Sequence, residues 1–254
     1  ESRFTGENTL TDNRLSSKTV IWLIALYIVV ISIYDSVWGD SLALGFRLIP
    51  TACILAFLIY MMKKDDCFRL IGFMPMNGLP YRKLLYLLPM IAVATANLWG
   101  GAVMRFPVVQ TIFYVLSMFC IGFSEEILFR GYLLRLLIRR SVKTAILVSS
   151  LTFGLGHLIN LISGSDLFST GLQVIYALSI GLMLSVFVVK TGNIVPCCLF
   201  HGLFNALAAF CNERAITDTS QIVTCAGISV ISLGYAWYIW KKLPEVQPRQ
   251  EDPA

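Results

Sequence analysis

Ser124-Glu125-Glu126-Ile127-Leu128-Phe129-Arg130-Gly131 closes an apolar run that begins near Val108. Two adjacent carboxylates and an arginine are expensive inside a segment apolar enough to cross a bilayer. Ionisable groups in spanning segments are rare and mark functional sites. On a helix, Glu126 and Arg130 stand at i and i+4, with the acid on the N-terminal side as such pairs prefer. Glu125 lies about 100° further around the helix. The spacing therefore predicts a Glu126–Arg130 pair and leaves Glu125 available for other work. The competing reading is a cytoplasmic helix end carrying ordinary charges, and the rest of the chain argues against it.

The 254 residues are 57% hydrophobic and 14% charged, with a mean hydropathy of +0.74. A soluble domain is about 25% charged. The composition is that of a polytopic membrane protein. The net charge of +5 is no nucleic-acid signal, because the basic residues fall between hydrophobic runs and form no single patch. The seven cysteines are odd in number, lie mostly in apolar runs and include no CxxC pair. They read as small buried hydrophobes.

Runs near the ~20 residues a bilayer needs fall at about 19–37, 42–62, 84–104, 108–130, 144–162, 171–189, 194–211 and 222–240. The expected fold is thus all-α, a transmembrane bundle of about eight helices, with the fourth continuing as helix to Ile138. Of the 20 Lys and Arg, 17 lie in the two terminal segments, the 63–83 loop, the 130–143 segment and at Lys190. The opposite loops carry Asp35, Asp40, Asp166, Glu213 and Asp218. The positive-inside rule then places both termini in the cytoplasm, most simply across a bacterial inner membrane. Residues 1–18 read as a mobile cytoplasmic segment, 19–241 as one transmembrane domain and 242–254 as a cytoplasmic tail. The 63–83 loop reads equally well as a surface-lying amphipathic segment or an ordinary loop. The Pro and Gly interruptions do not recur in two halves, which argues against an inverted-repeat transporter.

The only two histidines, His157 and His201, sit inside apolar runs. Phe153 shares a helix face with His157, and Asn205 shares one with His201, each pair four residues apart. A lone histidine in such a helix is usually a satisfied core residue. Here two histidines, an asparagine and a Glu pair are nearly all the strongly polar groups deep in the bundle, and in hydrocarbon they should find one another. Counted from the basic ends of their helices, Glu125 and His157 lie about 20 Å deep and His201 about 10 Å. Those depths suggest one cavity in the half of the bundle nearest the basic loops. Gly154, Gly156 and Gly202 leave room for close helix approach or for a substrate backbone.

Such a group could hydrolyse an amide. A carboxylate in a poorly hydrated pocket can act as general base to a water, and a histidine can share that water. A histidine and an asparagine on one face can donate to a developing oxyanion. No Gly-x-Ser-x-Gly or His-Glu-x-x-His is present. Two histidines and two glutamates could still ligate zinc, the set then being Glu125, His157 and His201. The metal-free reading, with no cofactor, is preferred because Glu126 is taken by Arg130.

In this order on three apolar helices, Glu125-Glu126-x-x-x-Arg130, Phe153-x-x-x-His157 and His201-x-x-x-Asn205 resemble the three motifs of the CAAX protease and bacteriocin-processing (CPBP, or Abi) intramembrane endopeptidases. Phe129-Arg130-Gly131 also matches. The resemblance covers a core at about 108–211. It implies an eight-helix membrane domain with its site open toward the cytoplasmic leaflet. It also implies that Glu125 and His157 activate the attacking water, that His201 and Asn205 form the oxyanion hole, and that Glu126, Arg130 and Phe153 support them. The implied substrate is a peptide or protein, lipidated or membrane-associated, cleaved as a CAAX tail or as a bacteriocin or other propeptide. The alternative is a non-catalytic immunity or scaffold protein of the same fold, with a transporter the more distant one.

Overall fold

The computed structural model describes residues 16–38, 44–74 and 87–243. Most of the expected terminal segments 1–18 and 242–254 lies outside the described residues, as does the later part of the 63–83 loop.

The described chain is helical throughout. In order it forms α1 (Ser17–Trp38), α2 (Leu44–Lys64), a single turn α3 (Phe68–Ile71) and the short α4 (Leu88–Ala94). Then come α5 (Val108–Ile138) and α6 (Val142–Gly156). They are followed by α7 (Leu167–Thr191), α8 (Val195–Ala206) and α9 (Asp218–Lys242). Caps set several of these bounds. Ser141 accepts from Thr144 N–H to open α6, Asp166 accepts from Ser169 N–H to open α7, and Thr217 with Ser220 forms a capping box at α9.

Among the described residues, four helices are long and apolar enough to cross a membrane: Val108–Ile138, Val142–Leu161, Leu167–Thr191 and Asp218–Lys242. Large apolar side chains such as Ile21, Val108, Ile162, Val230 and Trp237 are exposed around the bundle. A soluble surface would not carry so many, and a bilayer would cover them. The chain is a polytopic helical bundle and an integral membrane protein.

The third expected span departs most from a continuous helix. Its described part is α4 followed by a 3-10 turn, Ala96–Leu98. Gly101 then takes φ +99, open to glycine without strain. Beyond it, residues 102–105 run beside the end of α8, with Val103 N–H donating to Phe210 O, Arg105 N–H donating to Ala209 O and Ala102 bridging Cys211. Helices α6 and α8 also finish as 3-10 turns, His157–Leu161 and Leu207–Phe210.

α5 is the axis of the bundle. It packs on α2 and α8, while α7 packs on α6 and α9. The α5–α8 contact is made by two glycines. A Cβ on Gly122 would lie 2.6 Å from the Gly202 nitrogen, and one on Gly202 would lie 2.4 Å from the Phe119 ring. Small residues at such crossings let backbones touch in a membrane, where packing takes over from the hydrophobic effect. This crossing sets Glu125 and Glu126, one turn beyond Gly122, beside His201, which immediately precedes Gly202.

Candidate active site

Within α5 the α-helix ends at Glu126 and a π-helical stretch runs from Ile127 to Leu133. π segments inside α-helices are rare and concentrate at functional sites. This one carries Arg130 and is fully buried. The wider winding alters the carbonyl pattern, and Ser149 of α6 donates its hydroxyl to Phe129 O at 2.9 Å.

The predicted pair is formed. Arg130 Nη1 donates to Glu126 Oε1 at 2.8 Å, and neither side chain is exposed at all. The Arg130 guanidinium also lies 4.2 Å from the centre of the Phe153 ring. Such a desolvated cation–π contact offsets part of what the guanidinium loses on leaving water. Among the described residues, Glu126 Oε2 and Arg130 Nε and Nη2 have no hydrogen-bond partner. Gly181 gives the guanidinium its space, since a Cβ there would come within 3.3 Å of Nη2 and of Phe153.

His201 is drawn into the same cluster. Its Nδ1 lies 3.0 Å from Glu126 Oε1, and its Nε2 lies 3.5 Å from Glu125 Oε2. A carboxylate can only accept, so Nδ1–H is the donor to Glu126. At 3.5 Å, Nε2 and Glu125 are neighbours beyond a direct hydrogen bond. Glu126 Oε1 therefore accepts from both Arg130 and His201. Glu125 is 14% exposed and points elsewhere, as its position on the helix predicted.

What holds Glu125 was not foreseen. Tyr27 of α1 donates its hydroxyl to Glu125 Oε1 at 2.6 Å, and Tyr27 is itself buried. In the sequence Tyr27 is one aromatic residue in an unbroken apolar run, 98 residues from its partner. No local signal marks it.

Phe153 stands between the two histidines. Its ring meets His157 and His201 edge-on, both at 5.4 Å between centroids, and packs edge-to-face on Phe129. His157 is the residue at which α6 gives way to its 3-10 turn, and it lies within electrostatic reach of Glu125 and His201. Asn205 sits one turn beyond His201. The structure thus gathers Glu125, Glu126, Arg130, Phe153, His157 and His201 in one cluster, with Asn205 at its edge.

A cavity of about 180 Å³ adjoins this cluster and is lined by Phe153, His157, His201 and Asn205. It extends past Tyr114 and Met118 of α5, Gln173 and Tyr176 of α7, Phe204 and Ala208, and Asn97 of the 3-10 turn after α4. These residues lie toward the start of α5 and α7 and the end of α8. From the cluster this lining extends toward the helix ends that lie away from the basic loops.

Among the described residues no group of three or more His, Cys, Asp or Glu is arranged to hold a metal ion. Glu125, His157 and His201 are near one another, yet His201 already commits Nδ1 to Glu126. For a metal His201 has only Nε2, and Glu125 only the oxygen not bonded to Tyr27.

Residues 107–207 match the model of the family described as Type II CAAX prenyl endopeptidase, Rce1-like. The matched segment contains all three motifs and is similar to the CAAX protease family. A search of the curated proteins finds no match to the chain.

Proposed function

We propose that this chain hydrolyses a peptide bond within the membrane by water that Glu125 activates, without a metal. The observation that carries the reading is the division of the two carboxylates. Glu126 is held by Arg130 and His201, whereas Glu125 is aligned by one tyrosine hydroxyl and remains partly exposed. Glu126 Oε2 is also unpartnered but has no exposure, so a water can reach only Glu125.

In this reading Glu125 accepts the proton of a water shared with His157, and the hydroxide adds to the scissile carbonyl carbon. The negative charge moves onto the carbonyl oxygen. His201 faces the oxyanion through Nε2, with its Nδ1–H held by Glu126. The Asn205 carboxamide has no partner among the described residues and supplies the second donor. When the intermediate collapses, the C–N bond breaks and the proton taken from water passes from Glu125 to the leaving nitrogen. Arg130, Glu126 and Phe153 act by holding His201 and His157, and Tyr27 by holding Glu125. The substrate class is a prenylated CAAX tail or a membrane-delivered propeptide, and positive-inside topology places both termini in the cytoplasm.

The test is turnover of a fluorogenic farnesylated CAAX peptide and of unprenylated propeptides by the purified chain in detergent. Loss of a general base lowers rates about 10²–10⁴-fold. Glu125→Gln is expected to be folded and nearly inactive. Wild-type turnover by Glu125→Gln removes the mechanism.

A further inference from the structure

We infer that Asn97 is a positioning residue for Asn205, because its carboxamide holds the end of α8 from which Asn205 projects. The inference rests on the hydrolase reading above, in which Asn205 donates to the oxyanion. His201 and Asn205 stand one turn apart on α8, and the two are held differently. His201 is fixed through its side chain, by Glu126. The Asn205 carboxamide has no partner among the described residues, so its direction is set by its backbone. That backbone lies where α8 ends at Ala206 and tightens into the 3-10 turn Leu207–Phe210. The last carbonyls of a helix lose their place in the i to i−4 ladder and need donors from elsewhere.

Asn97 is such a donor. From the 3-10 turn after α4, its Nδ2 donates to Phe204 O at 2.7 Å, across 107 residues of chain. A carbonyl oxygen only accepts, so it is the nitrogen of the carboxamide that faces it. Phe204 C=O and the Cα of Asn205 belong to one planar peptide unit. A bond on that oxygen therefore fixes the plane from which the Asn205 side chain leaves. The chain after Asn97 continues the clamp along the same helix end. Arg105 Nη1 donates to Ala208 O at 3.2 Å, Arg105 N–H to Ala209 O at 3.0 Å and Val103 N–H to Phe210 O at 2.8 Å. The clamp is itself seated on α9, where a Cβ on Gly227 would lie 2.8 Å from the Trp99 ring. Of these bonds, that of Asn97 is the one on the peptide unit of Asn205. Asn97 also lines the cavity beside Asn205, so its rival role is direct contact with substrate.

A double-mutant cycle separates the two roles. Wild type, Asn97→Ala, Asn205→Ala and the double variant are purified as full chains in detergent and assayed with the fluorogenic peptide. Displacing a catalytic group by about 1 Å costs up to about 10²-fold in rate. Asn97→Ala is therefore expected to lower kcat roughly ten- to a hundredfold, never beyond the loss in Asn205→Ala, with KM and Tm near wild type. A residue that acts only through Asn205 has nothing left to position once Asn205 is gone. In the Asn205→Ala background the same change should thus lower kcat less than about threefold. Hydrogen–deuterium exchange of the 203–211 segment should be faster in Asn97→Ala than in wild type. Losses that multiply in the double variant, or a raised KM at unchanged kcat, overturn the inference and make Asn97 a substrate contact. A lowered Tm with unchanged kcat makes it merely structural and overturns the inference as well. Asn97→Ser, too short to reach Phe204 O, replaces Asn97→Ala if that variant does not accumulate. If the wild-type chain cleaves no peptide, the hydrolase reading fails by itself. Exchange then decides the clamp, which faster exchange upholds and unchanged exchange overturns.

Discussion

Arg130→Met is the most informative single perturbation of the cluster. It keeps much of the side chain's length and removes its charge. Glu126 then keeps only His201 as a donor, in a site with no exposure at all. The 4.2 Å contact between the guanidinium and Phe153 is lost with it. Removing one partner of a buried ion pair costs about 3–5 kcal/mol, because the remaining charge is left uncompensated. For a chain of this size about 1 kcal/mol shifts Tm by roughly 2–4 °C, so the variant should melt roughly 6–20 °C below the wild type. The assay is intrinsic-fluorescence unfolding in a mild detergent at fixed protein and detergent concentrations. Glu126→Gln combined with Arg130→Met removes both charges together and should recover a large part of the loss, although His201 then lacks its anionic acceptor and activity should stay low. An Arg130→Met protein with wild-type Tm would refute the claim that this pair holds the cluster.

Three further outcomes follow from the same geometry. Tyr27→Phe deletes a hydrogen bond to a carboxylate, worth about 1.5–3 kcal/mol. It should lower kcat roughly ten- to 150-fold with KM and Tm near wild type, and a change confined to Tm would make Tyr27 merely structural. Gly122→Ala drives a methyl into the Gly202 backbone at 2.6 Å, so α5 and α8 must separate, and both Tm and activity should fall. A fully active Gly122→Ala would show that this crossing does not position the site. Asn205→Ala should lose about 10²–10³-fold in kcat with KM little altered, since an oxyanion donor acts mainly in the transition state.

The parts of the site legible in the sequence were those whose partners are local. Glu126 with Arg130 and Phe153 with His157 are four apart on one helix, and helix geometry alone brings each pair together. Membrane-grade runs and the loop charges gave the fold class. What the sequence could not show is tertiary. Tyr27 reaches Glu125 from another helix, and nothing near either residue codes for the meeting. The Nδ1 contact of His201 with Glu126 is also tertiary, since it depends on the Gly122–Gly202 crossing. The π stretch from Ile127 to Leu133 has no composition distinct from ordinary helix.

The central claim is that a carboxylate and not a metal activates the water, and metal stripping measures it most directly. The purified chain in detergent is treated with a strong chelator, exchanged into metal-free buffer, assayed for bound metal by elemental analysis and given the fluorogenic peptide. Glu125→Gln serves as the inactive control. Turnover at the wild-type rate with far less than one metal per chain is the expected result. Activity that vanishes on stripping and returns with one equivalent of zinc would contradict it and make Glu125, His157 and His201 ligands.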